Sequence, residues 1–231
     1  MGSYFTDDSV LRRVQREYAV ALSGPRALLM QAAHPIAFGS RAKADRMTRR
    51  VRAMHRRVRG EVDGVPYRAD DPELLLWILA CLVDSALLVY GRYVGPLSRD
   101  ERDAYWQDYK VIGRHFGLED HEMPDTIEDF EQYMQDMLAG DDLFVSDEAR
   151  ELAIDIVMRP PVPLVARPLL ELANFITVGL LPERLRAMYG FSWDPARGLA
   201  LHAGAEYTKR LLVPFLPGFV RHVPRARTAV A

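Results

Sequence analysis

The sequence predicts an all-α fold, a single compact domain over residues 1–231 built from roughly eight to ten helices. Three observations predict it. Apolar residues recur at three- and four-residue spacing in segment after segment. Helix-start signatures, a Ser, Thr or Asp followed by acids or a proline, punctuate the chain. Few stretches alternate like strands between turn signals, and no repeat, heptad array or low-complexity tract is found.

The elements follow in order. Asp7 and Ser9 precede apolar positions Val10, Leu11, Val14, Tyr18 and Leu22 at helical spacing. Ser23-Gly24-Pro25 breaks that helix, and Pro25 suits the first turn of a second, RALLMQAAH, apolar almost all round. Pro35 pushes His34 away from helical geometry. The segment GSRAKADRMTRRVRAMHRRVRG carries nine Lys or Arg against one acid, Asp45. Met47, Val51, Met54 and Val58 form its apolar stripe, and Gly60 is its expected C-cap. Asp70-Asp71-Pro72-Glu73 reads as a cap with proline in the first turn and opens the most hydrophobic helix, ELLLWILACLVDSALLVYGRYVG. Ser98-Arg99-Asp100-Glu101 is a capping box, and Asp125-Thr126-Ile127-Glu128 resembles one. Ser146-Asp147-Glu148 starts another helix. Pro182 and Pro195 sit at expected first-turn positions of two more.

Composition excludes several classes. With 231 residues, 49% hydrophobic and 27% charged, the chain is globular and long enough to bury a core. A formal net charge of -2 implies no polyelectrolyte partner. A single cysteine, Cys81, excludes an intramolecular disulfide and any Cys-cluster metal site. Its mid-helix position reads as an inert core thiol rather than a thiolate ligand. The N-terminus MGSYFTDDSVLRRVQREYAV has no apolar core of signal-peptide length, so a cytoplasmic protein is expected. The longest apolar stretch, Val162 to Leu181, holds Pro163, Arg167, Pro168 and Glu171. It argues against a spanning helix but not against peripheral contact with lipid.

Familiar chemistries fail on spacing. No residue three before any of the six histidines is Glu, which removes the ferritin-like di-iron pattern. There is no zincin motif, P-loop, GxGxxG, GxSxG or CxxCH. Two histidines stay in play. His34 ends an apolar helix and reads as a core histidine or a ligand. His55, on the basic helix, reads as an exposed residue or, being four from Val51 and three from Val58, as one close to the buried stripe. A neutral imidazole there could ligate a metal or haem iron, and nearby arginines could hold haem carboxylates. Arg52, Arg56 and Arg59 are expected as neighbours along one helical edge. Trp77, Leu74 and Met30 are pocket candidates, with core packing as the blander reading. The arginine run from Arg41 to Arg59 has no helix-turn-helix or other reader motif beside it, so a nucleic-acid partner is not expected.

The run GPRALLMQAAHP, then VRAMHRRVRG, then YRADDPELLLWILACLVDS, resembles the MpaB-type oxygenase family, which includes the latex-clearing rubber oxygenases. PLSRDERDAYWQDYKVIGRHFGL and PERLRAMYGFSWDPAR look like its later segments. The resemblance implies an all-α fold and a non-covalent b-type haem that cleaves carbon-carbon double bonds with dioxygen, on a hydrophobic, isoprenoid-like substrate. It makes His55, in the HxxVxG-like stretch, the axial ligand of the haem iron. It marks His34 as the recurrent histidine of the first apolar helix and Arg26 as an ion-pair or propionate partner. Two departures from the family pattern stand out. Leu79 occupies the position, two after the helix tryptophan, where many relatives have histidine. Ala37-Phe38 runs straight into Gly39-Ser40-Arg41, without the extra helical turns that carry an Arg-Leu-x-x-Thr-like stretch in rubber oxygenases. These departures keep a second reading alive, a non-catalytic helical binding protein that retains the fold.

Overall fold

A computed structural model describes residues 40–62, 65–141, 143–160 and 163–216. His34, Arg26, Met30 and the two helices expected before Pro35 lie outside these residues. The described part is mostly helical, with eight α-helices and one small hairpin. The helices are α1 (Arg41–His55), α2 (Pro72–Tyr93), α3 (Arg99–Phe116), α4 (Ile127–Ala139), α5 (Asp147–Ala153), α6 (Arg167–Leu180), α7 (Glu183–Met188) and α8 (Pro195–Tyr207). Short 3-10 turns at Asp120–Glu122 and Leu164–Ala166 precede α4 and α6. Both α5 and α8 run on into wider turns at Ile154–Met158 and Thr208–Leu212.

The core is α2, wrapped by α3 and α4. α2 begins where Asp71 accepts a hydrogen bond from the Glu73 amide at 3.0 Å, with Pro72 in the first turn. It is long and apolar enough to cross a membrane by composition. Here Leu76, Leu79, Ala80, Val83, Ala86 and Val89 bury one of its faces against its neighbours. α3 opens with the expected capping box: the Glu101 amide donates to Ser98 Oγ, and the Ser98 amide donates to Glu101 Oε2 at 2.8 Å. It ends at Gly117, whose φ of 113° is the left-handed conformation glycine adopts without strain.

Trp106 and Tyr105 of α3 are fully buried. The Trp106 indole packs 4.7 Å from the Phe130 ring of α4 and donates to the Pro124 carbonyl at 2.9 Å. Asp103 accepts from the Ile127 amide at 2.9 Å, so α3 supplies one of the capping acceptors for α4. The second layer is tied on by arginines. Arg184 donates to the Leu138 carbonyl at 2.7 Å and Arg150 to the Met188 carbonyl at 2.8 Å. At the α6–α8 contact, Trp193 stands 5.2 Å from Phe175, and a Cβ added at Gly179 would meet the Trp193 ring at 2.5 Å. Glycine there is what lets the two helices close on the indole.

Several expectations are corrected. α1 stops at His55, and Gly60 is not its C-cap but a strand residue. Arg59–Val62 (β1) and Val65–Arg68 (β2) pair antiparallel, with Gly60 opposite Tyr67, whose ring lies where a Cβ would stand. Arg59 therefore leaves the helix, and the expected edge of Arg52, Arg56 and Arg59 does not form. The stripe that α1 buries is Ala44 and Thr48, continued by half-buried Val51 and His55; Met54 and Val58 are exposed. Small residues let α1 approach α3, and the Thr48 hydroxyl is satisfied by the Ala44 carbonyl at 3.0 Å. The α4 box is Thr126 with Asp129, one residue on from the expected pair. Pro182 is the N-cap of α7 rather than a first-turn residue.

Candidate functional site

The ends of α1 and α3 meet, and they bring together the side chains of the candidate site. His55 is the last residue of α1, four residues beyond Val51 on the stripe that faces α3. Its ring lies 6.4 Å from the Phe116 ring, nearly parallel at 26°. The Nδ1 atom of His55 is buried and has no hydrogen-bond partner among the described residues. A buried imidazole nitrogen without a partner loses hydration with nothing in exchange, at a cost of about 1–3 kcal/mol. Such an atom marks a place where something binds or where stability is given up.

Arg52, one turn before His55, reaches the C-terminus of α3: a Cβ at Gly117 would stand 3.3 Å from its Nη2. A cation there meets the negative end of the helix dipole. His115 of α3 places Nδ1 3.9 Å from Asp45 of α1. Burial, reinforced by the positive charges of Arg114 and Arg52, holds the His115 pKa below its ordinary value, although Asp45 pulls the other way. The helix-end site thus carries the His55 imidazole, the Phe116 ring and the Arg52 guanidinium, with His115 on the same contact of α1 and α3 but beside Asp45, ten residues before His55. Of the residues singled out in the sequence, His55 and Arg52 belong to it. Arg59 sits in the hairpin, where its charge bears on Asp70. Arg26 and His34 lie outside the described residues. His115 was not singled out; the only signal was its place beside the Phe116-Gly117 helix end.

Other candidates resolve differently. Burial, with a contribution from Asp84, pushes the Cys81 thiol up to about 12, so it is a thiol rather than a thiolate ligand. Among the described residues no cluster of three or more His, Cys, Asp or Glu side chains could hold a metal ion. A cleft of about 630 Å³ opens between α2 and α4, lined by Leu87, Leu97, Phe130 and Met134. Asp84 and the Arg102–Glu131 ion pair are at its edge. Burial raises the Asp84 pKa, with Arg102 opposing and Glu131 adding to the rise. The cleft uses the later half of α2, not Leu74 or Trp77. Arg102 and Phe116 are far apart along α3, about 21 Å at a helical rise of 1.5 Å per residue, so cleft and histidine site are separate.

Comparison with known proteins supplies a family. Residues 36–210 match the model described as ER-bound oxygenase mpaB/B'/Rubber oxygenase, catalytic domain. An uncharacterized protein of Mycobacterium bovis and one of Mycobacterium tuberculosis are each 32% identical over 154 residues, covering 64% of this chain. The chain spans 58% of the length of those relatives. No solved structure matches it. The matched region contains α1 with His55 and Arg52, the whole α2–α4 core and all of α8. By the extent of that match, the chain belongs to the family of mpaB and rubber-oxygenase catalytic domains.

Proposed function

We propose that the protein is a haem-dependent oxygenase, or a related oxidoreductase, that acts with dioxygen on a hydrophobic, isoprenoid-like substrate. The observation that carries this reading is the buried Nδ1 of His55, without a partner among the described residues, in a chain of an oxygenase family. The donor set favours b-type haem over a bare metal. A porphyrin supplies four ligands of its own and asks the protein for a single imidazole, whereas a protein-held iron asks for several converging side chains. His55 would be the residue that holds the iron. Phe116 would hold its ring orientation by stacking, and Arg52 would face the haem carboxylates. When bound, haem supplies the dioxygen chemistry. His115, whose pKa burial lowers, would be a further imidazole at the α1–α3 contact, beside Asp45.

The second reading is a non-catalytic helical binding protein. One observation favours it: Leu79, at the position where many relatives carry histidine, is buried in the α2 core with only 5% of its surface exposed. One experiment separates the two. The purified chain is titrated with haemin and followed by absorbance. A Soret band saturating at one haem per chain, lost in His55→Ala, supports the oxygenase reading. Absence of a saturable band supports the binding protein.

A further inference from the structure

We propose that the cleft between α2 and α4 binds an aliphatic amine, with its ammonium head at Asp84 and its chain along the apolar walls. The cleft measures about 630 Å³, inside the range of about 300–1,000 Å³ that small-molecule sites occupy. Asp84, Leu87 and Gly91 line it from α2 at three- and four-residue spacing, so they share one helical face. Phe130, Met134 and Leu138 line it from α4 at four-residue spacing. Leu97, from the connection before α3, adds a further apolar wall. These walls are fixed by the core: Phe130 is held by its contact with the Trp106 ring, and Met134 is buried. A Cβ added at Gly91 would meet nothing within 4 Å, so the space beside this glycine is open.

The charges around the cleft choose the head group. Asp84 lies midway along α2, where no helix end answers its charge. It makes no hydrogen bond or ion pair of its own among the described residues, and burial pushes its pKa up. Arg102, the cation whose charge bears on it, is ion-paired with Glu131. At this end of the cleft two carboxylates therefore share one guanidinium, and one positive charge is missing. Arg92, the other cation at the cleft, sits in the last turn of α2 and meets the negative end of the helix dipole there. An alkylammonium ion supplies what Asp84 lacks, a positive charge with three hydrogen-bond donors. Its chain covers Leu87, Leu97, Phe130 and Met134.

The inference does not depend on haem, so it is tested apart from the activity. The full chain is titrated by calorimetry with octylamine, octanol and octanoate at neutral pH. Octylamine should bind saturably, octanol about tenfold more weakly or worse, and octanoate not at all. Asp84→Asn should lower octylamine affinity by about tenfold or more and erase its advantage over octanol. Gly91→Leu, checked for an unchanged circular dichroism spectrum, fills the open space and should abolish binding of both. Haemin should leave the amine affinity unchanged. Absence of saturable octylamine binding, or wild-type affinity in Asp84→Asn or Gly91→Leu, overturns the proposal. So does a preference for octanoate, which would assign the cleft to acids held by Arg92. Displacement of the amine by haemin would place both ligands in one site and overturn it as well.

Discussion

Replacing His55 by phenylalanine should make the protein more stable and unable to hold haem. The two effects have one cause. Nδ1 of His55 is buried without a partner among the described residues, which costs about 1–3 kcal/mol relative to an apolar atom in the same place. Phenylalanine removes that cost. It keeps a ring against Phe116, so the aromatic pair, worth about 0.5–1.5 kcal/mol, is retained. The larger ring must be accommodated, but His55 is only half-buried at the end of α1, where the chain can give. The expected net change is a gain of about 1 kcal/mol, or roughly 2–4 °C in melting temperature for a chain of this size. Thermal denaturation of the haem-free protein measures the first effect and haemin titration the second. A fall in melting temperature of several degrees would mean that the imidazole is a satisfied structural group, and the reasoning from the orphaned nitrogen would fail. Unchanged haem binding in the same variant would remove His55 as ligand whatever the stability shows.

Three further outcomes follow from the same geometry. Arg52→Ala should weaken haem retention in competition with apomyoglobin, whereas Arg59→Ala should not, because Arg59 belongs to the hairpin; equal losses would contradict that division. Neither substitution should alter migration of DNA in a shift assay. Leu79→Asp should cost about 4 kcal/mol, since a carboxylate would replace a buried side chain with no partner prepared, and a melting temperature within error of wild type would contradict the burial. The His115 pKa is lowered in the folded protein, so the unfolded chain takes up a proton first. The stability from neutral His115 is complete above its unfolded value and is lost as pH falls through about 6.5 toward the folded value. His115→Gln should therefore lose less stability than wild type over that acid interval in parallel thermal scans, and identical pH profiles would refute the assignment.

Helix starts were legible in the sequence because their chemistry is local. Asp71-Pro72 and Ser98 with Glu101 bond within three residues of themselves, so spacing alone finds them. The buried side of α1 was not legible. Its apolar residues allow two stripes, and the choice falls on Ala44 and Thr48 because their small side chains meet α3, which lies fifty residues later in the chain. The hairpin was missed although Asp63-Gly64 separates its strands, a sequence known to favour tight turns; strands of four residues show too little alternation to register. At the site, His55 and Arg52 could be found from the family-like stretch. His115 could not, since its acidic neighbour Asp45 comes seventy residues earlier and only folding brings the two together.

The half-buried thiol of Cys81 gives the molecule a reporter of its own packing. With its pKa pushed up to about 12, it is ionised roughly once in ten thousand at about pH 8. A disulfide reagent in solution therefore reacts with it slowly while α2 stays packed. Where the helix loosens from its neighbours, the thiol moves toward an ordinary acidity and reacts faster. Because no other cysteine competes, the labelling rate reports on this one position of α2. Followed with and without an added ligand, it compares how firmly the central helix is held.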